Sequence, residues 1–109
     1  MLSPHELVGT QVWRTSFDYQ VRLLLVDHPR LNAELVVEVP FRLYDTEGVD
    51  QLVTPGEPAT LTPVLRLFRQ SVSLVEVTDE ETLTITFGSG CRLKASPAAE
   101  FESWSVVEL

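Results

Sequence analysis

Cysteine, methionine and lysine each occur once in this chain of 109 residues, and histidine only twice. Each scarcity excludes something. A lone Cys91 cannot close an internal disulfide, and such usage fits a reducing compartment. His5 and His28 stand far apart, with no His-x-x-x-His spacing and no cysteine beside them. A zinc site takes about four such ligands, so no metal or other cofactor is expected, and both histidines read as surface residues. Long apolar runs are missing as well. The longest uncharged one, Leu23–Val26, is far short of the roughly 20 residues needed to cross a bilayer. The opening MLSPHELVGTQVWR has neither a basic start nor an apolar run of about seven residues, so no secretory signal is expected and the cytoplasm is the expected location.

Positive charge is the other shortage. Sixteen acidic residues face eight basic ones, giving a net charge of −8. Nucleic acid and anionic membrane surfaces are therefore not expected as partners. Residues 1–54 and 55–109 each carry eight acids and four bases, so there is no acidic tail to split off. Seven of the eight cations are arginine, which together with abundant Val, Leu and Ala points to a GC-rich bacterial gene. With 44% hydrophobic and 22% charged residues, the composition is that of a globular domain. The length supplies one core and not two, so residues 1–109 are read as a single domain.

Alternation of apolar and polar residues dominates what is present. Residues 11–17 and 19–26 read as two strands either side of Asp18. In the second, Tyr19, Val21, Leu23 and Leu25 share a face, while Leu24 and Val26 interrupt the polar one and suggest cover on both sides at that end. Asp27-His28-Pro29-Arg30 is a turn. Residues 33–39 alternate with Leu35, Val37 and Val39 inward and Glu34 and Glu38 outward. Pro40 then leaves residues 41–44 as a bent continuation or a short edge strand, and Asp45–Asp50 reads as a turn. Helical character is confined to residues 62–70: Thr62 can cap, Pro63 suits the first turn, and Leu61, Val64, Leu65 and Phe68 form a stripe. Strand 71–78, the acidic turn Asp79-Glu80-Glu81 and a hairpin over residues 83–95 follow. Gly88-Ser89-Gly90 joins two strands instead of leading into a helix, so it reads as a hairpin turn and not a phosphate loop. Phe101–Val106 alternates as a final strand or an extended tail. The order of elements predicts an α+β domain, mainly an antiparallel sheet of six or seven short strands with one helix; a small, partly open β-barrel is the alternative. Leu23, Leu25, Leu35, Val37, Phe68, Leu83, Ile85, Phe87, Leu93 and Trp104 are the expected core.

Catalysis finds little support. Cys91 falls at an inward strand position and reads as a small core hydrophobe, with no base that can be placed beside it. Glu34 and Glu38 point the same way on one strand, and Glu76, Asp79, Glu80 and Glu81 gather at a turn. General acid–base work needs one carboxyl desolvated, whereas these are flanked by polar residues. Trp104 is expected to pin the C-terminal segment onto the sheet, and Trp13 and Trp104 could also anchor a ligand or partner.

Three stretches, SFDYQVRLLL (16–25), LTITFGSGCRLKA (83–95) and EFESWSV (100–106), together resemble a family of small uncharacterised bacterial proteins classed only as a domain of unknown function. Its members share an Asp-Tyr-Gln strand start, a Phe-x-x-Gly hairpin and a Phe/Tyr-Glu-x-Trp ending. Ser89 departs from the Asp more usual there, a difference in turn chemistry. The resemblance brings no activity and no site residues. It does imply small stand-alone cytoplasmic proteins, some encoded beside secreted toxin systems.

The functional expectation is a non-catalytic domain that binds a basic protein through Glu34, Glu38, Glu76, Asp79, Glu80 and Glu81, for example an immunity-type protein neutralising a basic toxin. An acidic surface of this kind steers association with a cationic partner. The alternative is a small-molecule-binding or enzymatic domain using the interior of a curled sheet, with Asp18, Tyr19 and Gln20 near its mouth.

Overall fold

In the computed structural model, which describes residues 2–97 and 103–109, the alternating runs become nine strands in two antiparallel sheets. They are β1 (Gln11–Phe17), β2 (Val21–Asp27), β3 (Leu31–Val37), β4 (Phe41–Tyr44), β5 (Asp50–Val53), β6 (Val72–Val77), β7 (Leu83–Phe87), β8 (Arg92–Ala95) and β9 (Trp104–Glu108), with one short helix, α1 (Thr62–Leu65), before β6. One sheet has the order β1-β2-β3-β9 and the other β5-β4-β8-β7-β6. The architecture is the expected α+β one, with more strands than the six or seven read from the sequence and no closed barrel. The added strand is β5, whose first three residues are exposed, so no alternation marks it. Residues 41–44 form neither a continuation of β3 nor an edge strand: Pro40 ends the pairing, the chain crosses to the second sheet, and β4 pairs on both sides with β5 and β8. Phe101 and Glu102, at the start of the expected final strand, lie outside the described residues.

The core fills the space between the sheets. Leu23, Leu25, Leu35 and Val37 from one sheet and Leu83, Ile85, Phe87 and Leu93 from the other are all fully buried, as expected, because they occupy alternate positions on the facing sides. These side chains pack into one hydrophobic core between the sheets. Tyr19 is 88% exposed in the β1–β2 turn.

Phe68 is a correction. It is half exposed, and so is Leu65. After α1 the backbone tightens, and the N–H groups of Leu67, Phe68 and Gln70 donate to carbonyls three residues back. At three residues per turn the stripe becomes Leu61, Val64 and Leu67, of which Val64 and Leu67 are buried. The expected helix over 62–70 is thus four residues of helix and a run of turns. Trp104 packs against the core, mostly buried as expected, and its indole is tied by a hydrogen bond to the β6–β7 turn of the second sheet.

The N-terminal segment is ordered. Pro4–Leu7 forms a 3₁₀ turn whose entry is fixed by the Ser3 N–H donating to the Glu6 carboxylate at 2.7 Å. Leu7 is completely buried against β6.

The two sheets meet along a short seam. The N–H groups of Gly9 and Val12 donate to Val72 and Gln70, and those of Arg69 and Val72 donate to Val12 and Thr10. Gly9 takes φ 93°, a turn that a side chain would strain. Just past the seam, a β-bulge at Trp13 shifts the β1–β2 register between Val12 and Arg14. Truncation measured by denaturant unfolding should separate the two phenylalanines. Phe87→Ala is expected to lose about 3–5 kcal/mol and Phe68→Ala less than about 1 kcal/mol.

Candidate functional site

The acidic residues are set out by the strand ends that carry them. At one end of the four-stranded sheet, Phe17, Val21, Val37 and Trp104 form a row across β1, β2, β3 and β9. Asp18 and Glu38 directly follow two members of that row. The β6–β7 hairpin starts beside β1 at the seam and its turn reaches β9, because the Trp104 indole N–H donates to the Glu81 carbonyl at 2.8 Å. The Glu38 N–H donates to the carbonyl of Ser103, next to Trp104. Carboxylates from both sheets are therefore gathered around Ser103 and Trp104. Glu38 and Asp79-Glu80-Glu81 share this end, and Glu76 stands on β6 opposite Thr84, just before the turn.

Glu34 is different. Its side chain is only 17% exposed and forms an ion pair with Arg22 at 3.3 Å. Arg22 also donates to the Gln20 side chain at 2.5 Å, and Gln20 donates in turn to Glu38. The Asp18 carboxylate accepts the Gln20 N–H at 2.7 Å, closing the β1–β2 turn, and lies 3.9 Å from Arg22. The Asp-Tyr-Gln stretch thus serves the structure, since Asp18 shapes the turn and Gln20 joins Arg22 to Glu38. One guanidinium serves Asp18 and Glu34, so this network keeps a negative balance. Among the described residues no ion pair engages Glu38, Glu76, Asp79, Glu80 or Glu81.

Glu81 carries a further signal. It adopts φ 62°, in the left-handed region that glycine or asparagine would enter at little cost. Its N–H donates to Thr78, and Thr78 and Thr82 close the turn around it. A charged residue at a backbone position suited to glycine is a local conflict of the kind found at functional positions.

The other residues with chemical potential lie elsewhere. Cys91 is half-buried against the core at the β7–β8 turn, where its N–H is held by the Ser89 hydroxyl at 3.2 Å. The Phe-x-x-Gly turn is closed by the Gly90 N–H donating to Phe87, with Gly90 at φ 97°. His5 and His28 are both exposed. No three or more His, Cys, Asp or Glu side chains approach closely enough to hold a metal ion among the described residues. No helix described is long and apolar enough to cross a membrane.

One feature of the surface was not foreseen from the sequence. A groove of about 910 Å3 runs over the outer face of the four-stranded sheet, lined by Trp13, Arg14, Leu24, Val26, Asn32 and Leu109 among others. Leu24 and Val26, which break the polar alternation, floor this groove; among the described residues no second layer closes over them.

The strain at Glu81 can be measured. Glu81→Gly is expected to raise stability by up to about 1 kcal/mol in thermal or denaturant unfolding, because glycine relieves the backbone at that turn. A loss larger than that would mean the Glu81 side chain itself holds the turn.

Residues 3–108 match the Family of unknown function (DUF6188), and the chain belongs to that family. No curated protein and no solved structure matches it.

Proposed function

From a family that carries no assigned activity, and from the geometry of the Trp104 end, we propose that this is a non-catalytic protein-binding domain that engages a basic partner. An immunity-type protein that occupies the cationic groove of a toxin is the form that suits it. One observation carries the reading: two sheets and two separate turns deliver Glu38, Asp79, Glu80 and Glu81 to one end, with no ion pair among the described residues and with Glu81 in a strained backbone. Same-sign charges brought together on a domain of net charge −8 repel one another, and a cationic partner relieves that repulsion. These carboxylates are exposed on turns and strand ends, whereas general acid–base work calls for a desolvated carboxyl. That favours binding over catalysis. Charges so placed act chiefly on the encounter, raising the association rate at low salt. A reducing cytoplasm is the compartment that the lone Cys91 favours.

The test is a pull-down from bacterial lysate, and against the product of the neighbouring gene, with identification of what is retained. The bait is wild type, a triple Glu76→Gln, Glu80→Gln, Glu81→Gln variant, or a control with Glu47→Gln and Glu57→Gln. A basic partner is expected on wild type and control and lost from the triple variant. Its association rate should fall steeply as salt passes about 0.15 M, where the Debye length is about 8 Å. Retention by all three baits, or indifference to salt, would defeat the assignment.

A further inference from the structure

The groove on the outer face of the four-stranded sheet lies at the seam end, marked by Gly9, Gln11 and Ser71 in its lining, away from the acidic turn. Its floor follows from register. Gln11, Val26 and Asn32 form one row across β1, β2 and β3, with Leu109 bonded beside Asn32; Arg14, Leu24, Glu34 and Val107 form the next. The β-bulge at Trp13 leaves its indole 54% exposed in the wall of the groove, where unbroken pairing would have alternated it with Val12 and Arg14. Bulges re-aim side chains in this way, often beside binding sites. Leu24, Val26, Trp13 and Leu109 give the groove an apolar lining, and its volume falls in the range of small-molecule sites.

Charge decides what fits. Asp27 is held by Arg30 at 2.7 Å, and Arg30 also donates to the carbonyls of Glu6 and Val8, so this pair is locked in place. Glu34, two strands from Arg14, is held by Arg22. Arg14 has no ion pair among the described residues, and His28 stands at the rim. A chain of net charge −8 thus leaves an uncommitted guanidinium against an apolar floor and a tryptophan. We propose that the groove binds a small amphiphilic molecule with one carboxylate. Its apolar body lies on Leu24, Val26 and Leu109 against the Trp13 indole, and its carboxylate pairs with Arg14. This site is independent of the acidic end and of the protein partner proposed for it.

The chain has two tryptophans, Trp13 in the groove and Trp104 at the opposite end, so their two indole N–H signals report the two places separately. The probe is decanoate, titrated below its micellar concentration into the labelled protein and followed by NMR. Saturable movement of the Trp13 signal with a still Trp104 signal is expected. Decylammonium, with the same tail and the opposite charge, should bind at least about tenfold more weakly, the scale of one charge-assisted hydrogen bond. Arg14→Gln should remove that preference and Arg14→Lys keep part of it. Arg14 is exposed, so circular dichroism should show unchanged folding in both variants. Val26→Thr, which keeps the shape and adds a hydroxyl to the floor, should weaken decanoate and decylammonium alike. No saturable shift, equal movement of both indoles, or full decanoate preference in Arg14→Gln would each overturn the proposal.

Discussion

Four backbone hydrogen bonds between Gly9–Val12 and Arg69–Val72 join the two sheets, and the placement of both candidate surfaces depends on them. Without this seam the four-stranded and five-stranded ladders would touch only through side chains. The seam uses up the outer edge of β1 for its first residues and then releases it, and the release coincides with the bulge at Trp13. It also fixes where β6 begins, so that the β6–β7 hairpin crosses the four-stranded sheet and its acidic turn arrives at Trp104. The apolar groove and the acidic end are two consequences of one corner. Arg69 takes φ 69° to make its bond to Val12, a second non-glycine residue in the left-handed region. Backbone strain therefore marks both the seam and the acidic turn.

The division of charge gives the two surfaces opposite chemistries. Arg22 and Arg30 are spent internally, on Asp18 with Glu34 and on Asp27. Arg42 is paired with Asp50, and Arg92 lies over the Tyr44 ring. Arg14 stays uncommitted beside the groove, while Glu38 and Asp79–Glu81 at the other end carry no ion pair among the described residues. Exposed ion pairs of this sort contribute little stability, about 0–1 kcal/mol each. Their weight lies in which charges they leave free.

Much of the fold was legible because period-2 alternation is a direct print of a sheet with one buried face. Leu23 with Leu25 and Leu83, Ile85 with Phe87 announce their strands unaided. β5 left no such print, since an edge strand with one buried residue does not alternate. Phe68 falls on the core side only under a helical period, whereas three-residue turns prevail there and at that spacing the buried position is Leu67. Ser3-x-x-Glu6 is the local signature of the ordered N-terminal turn. Of the candidate site, the acidic residues were legible by type, but their gathering was not. It depends on the diagonal course of the β6–β7 hairpin, a long-range fact set by the seam. Glu34 looked equivalent to Glu38 by alternation, and only the cross-strand position of Arg22 tells them apart. Leu24 and Val26 suggest cover on both sides of β2, and whether such residues are covered or open is decided by layers that no local pattern records.

Native-state amide hydrogen exchange, resolved residue by residue, tests the role of the seam most directly. If the seam holds the sheets together, the amides of Gly9, Val12, Arg69 and Val72 exchange as slowly as those of Leu23 and Ile85 in the sheet centres, in one cooperative unit. Exchange of the seam amides at the rate of exposed turns such as Glu47 and Gly48, while the sheet centres stay protected, would contradict it.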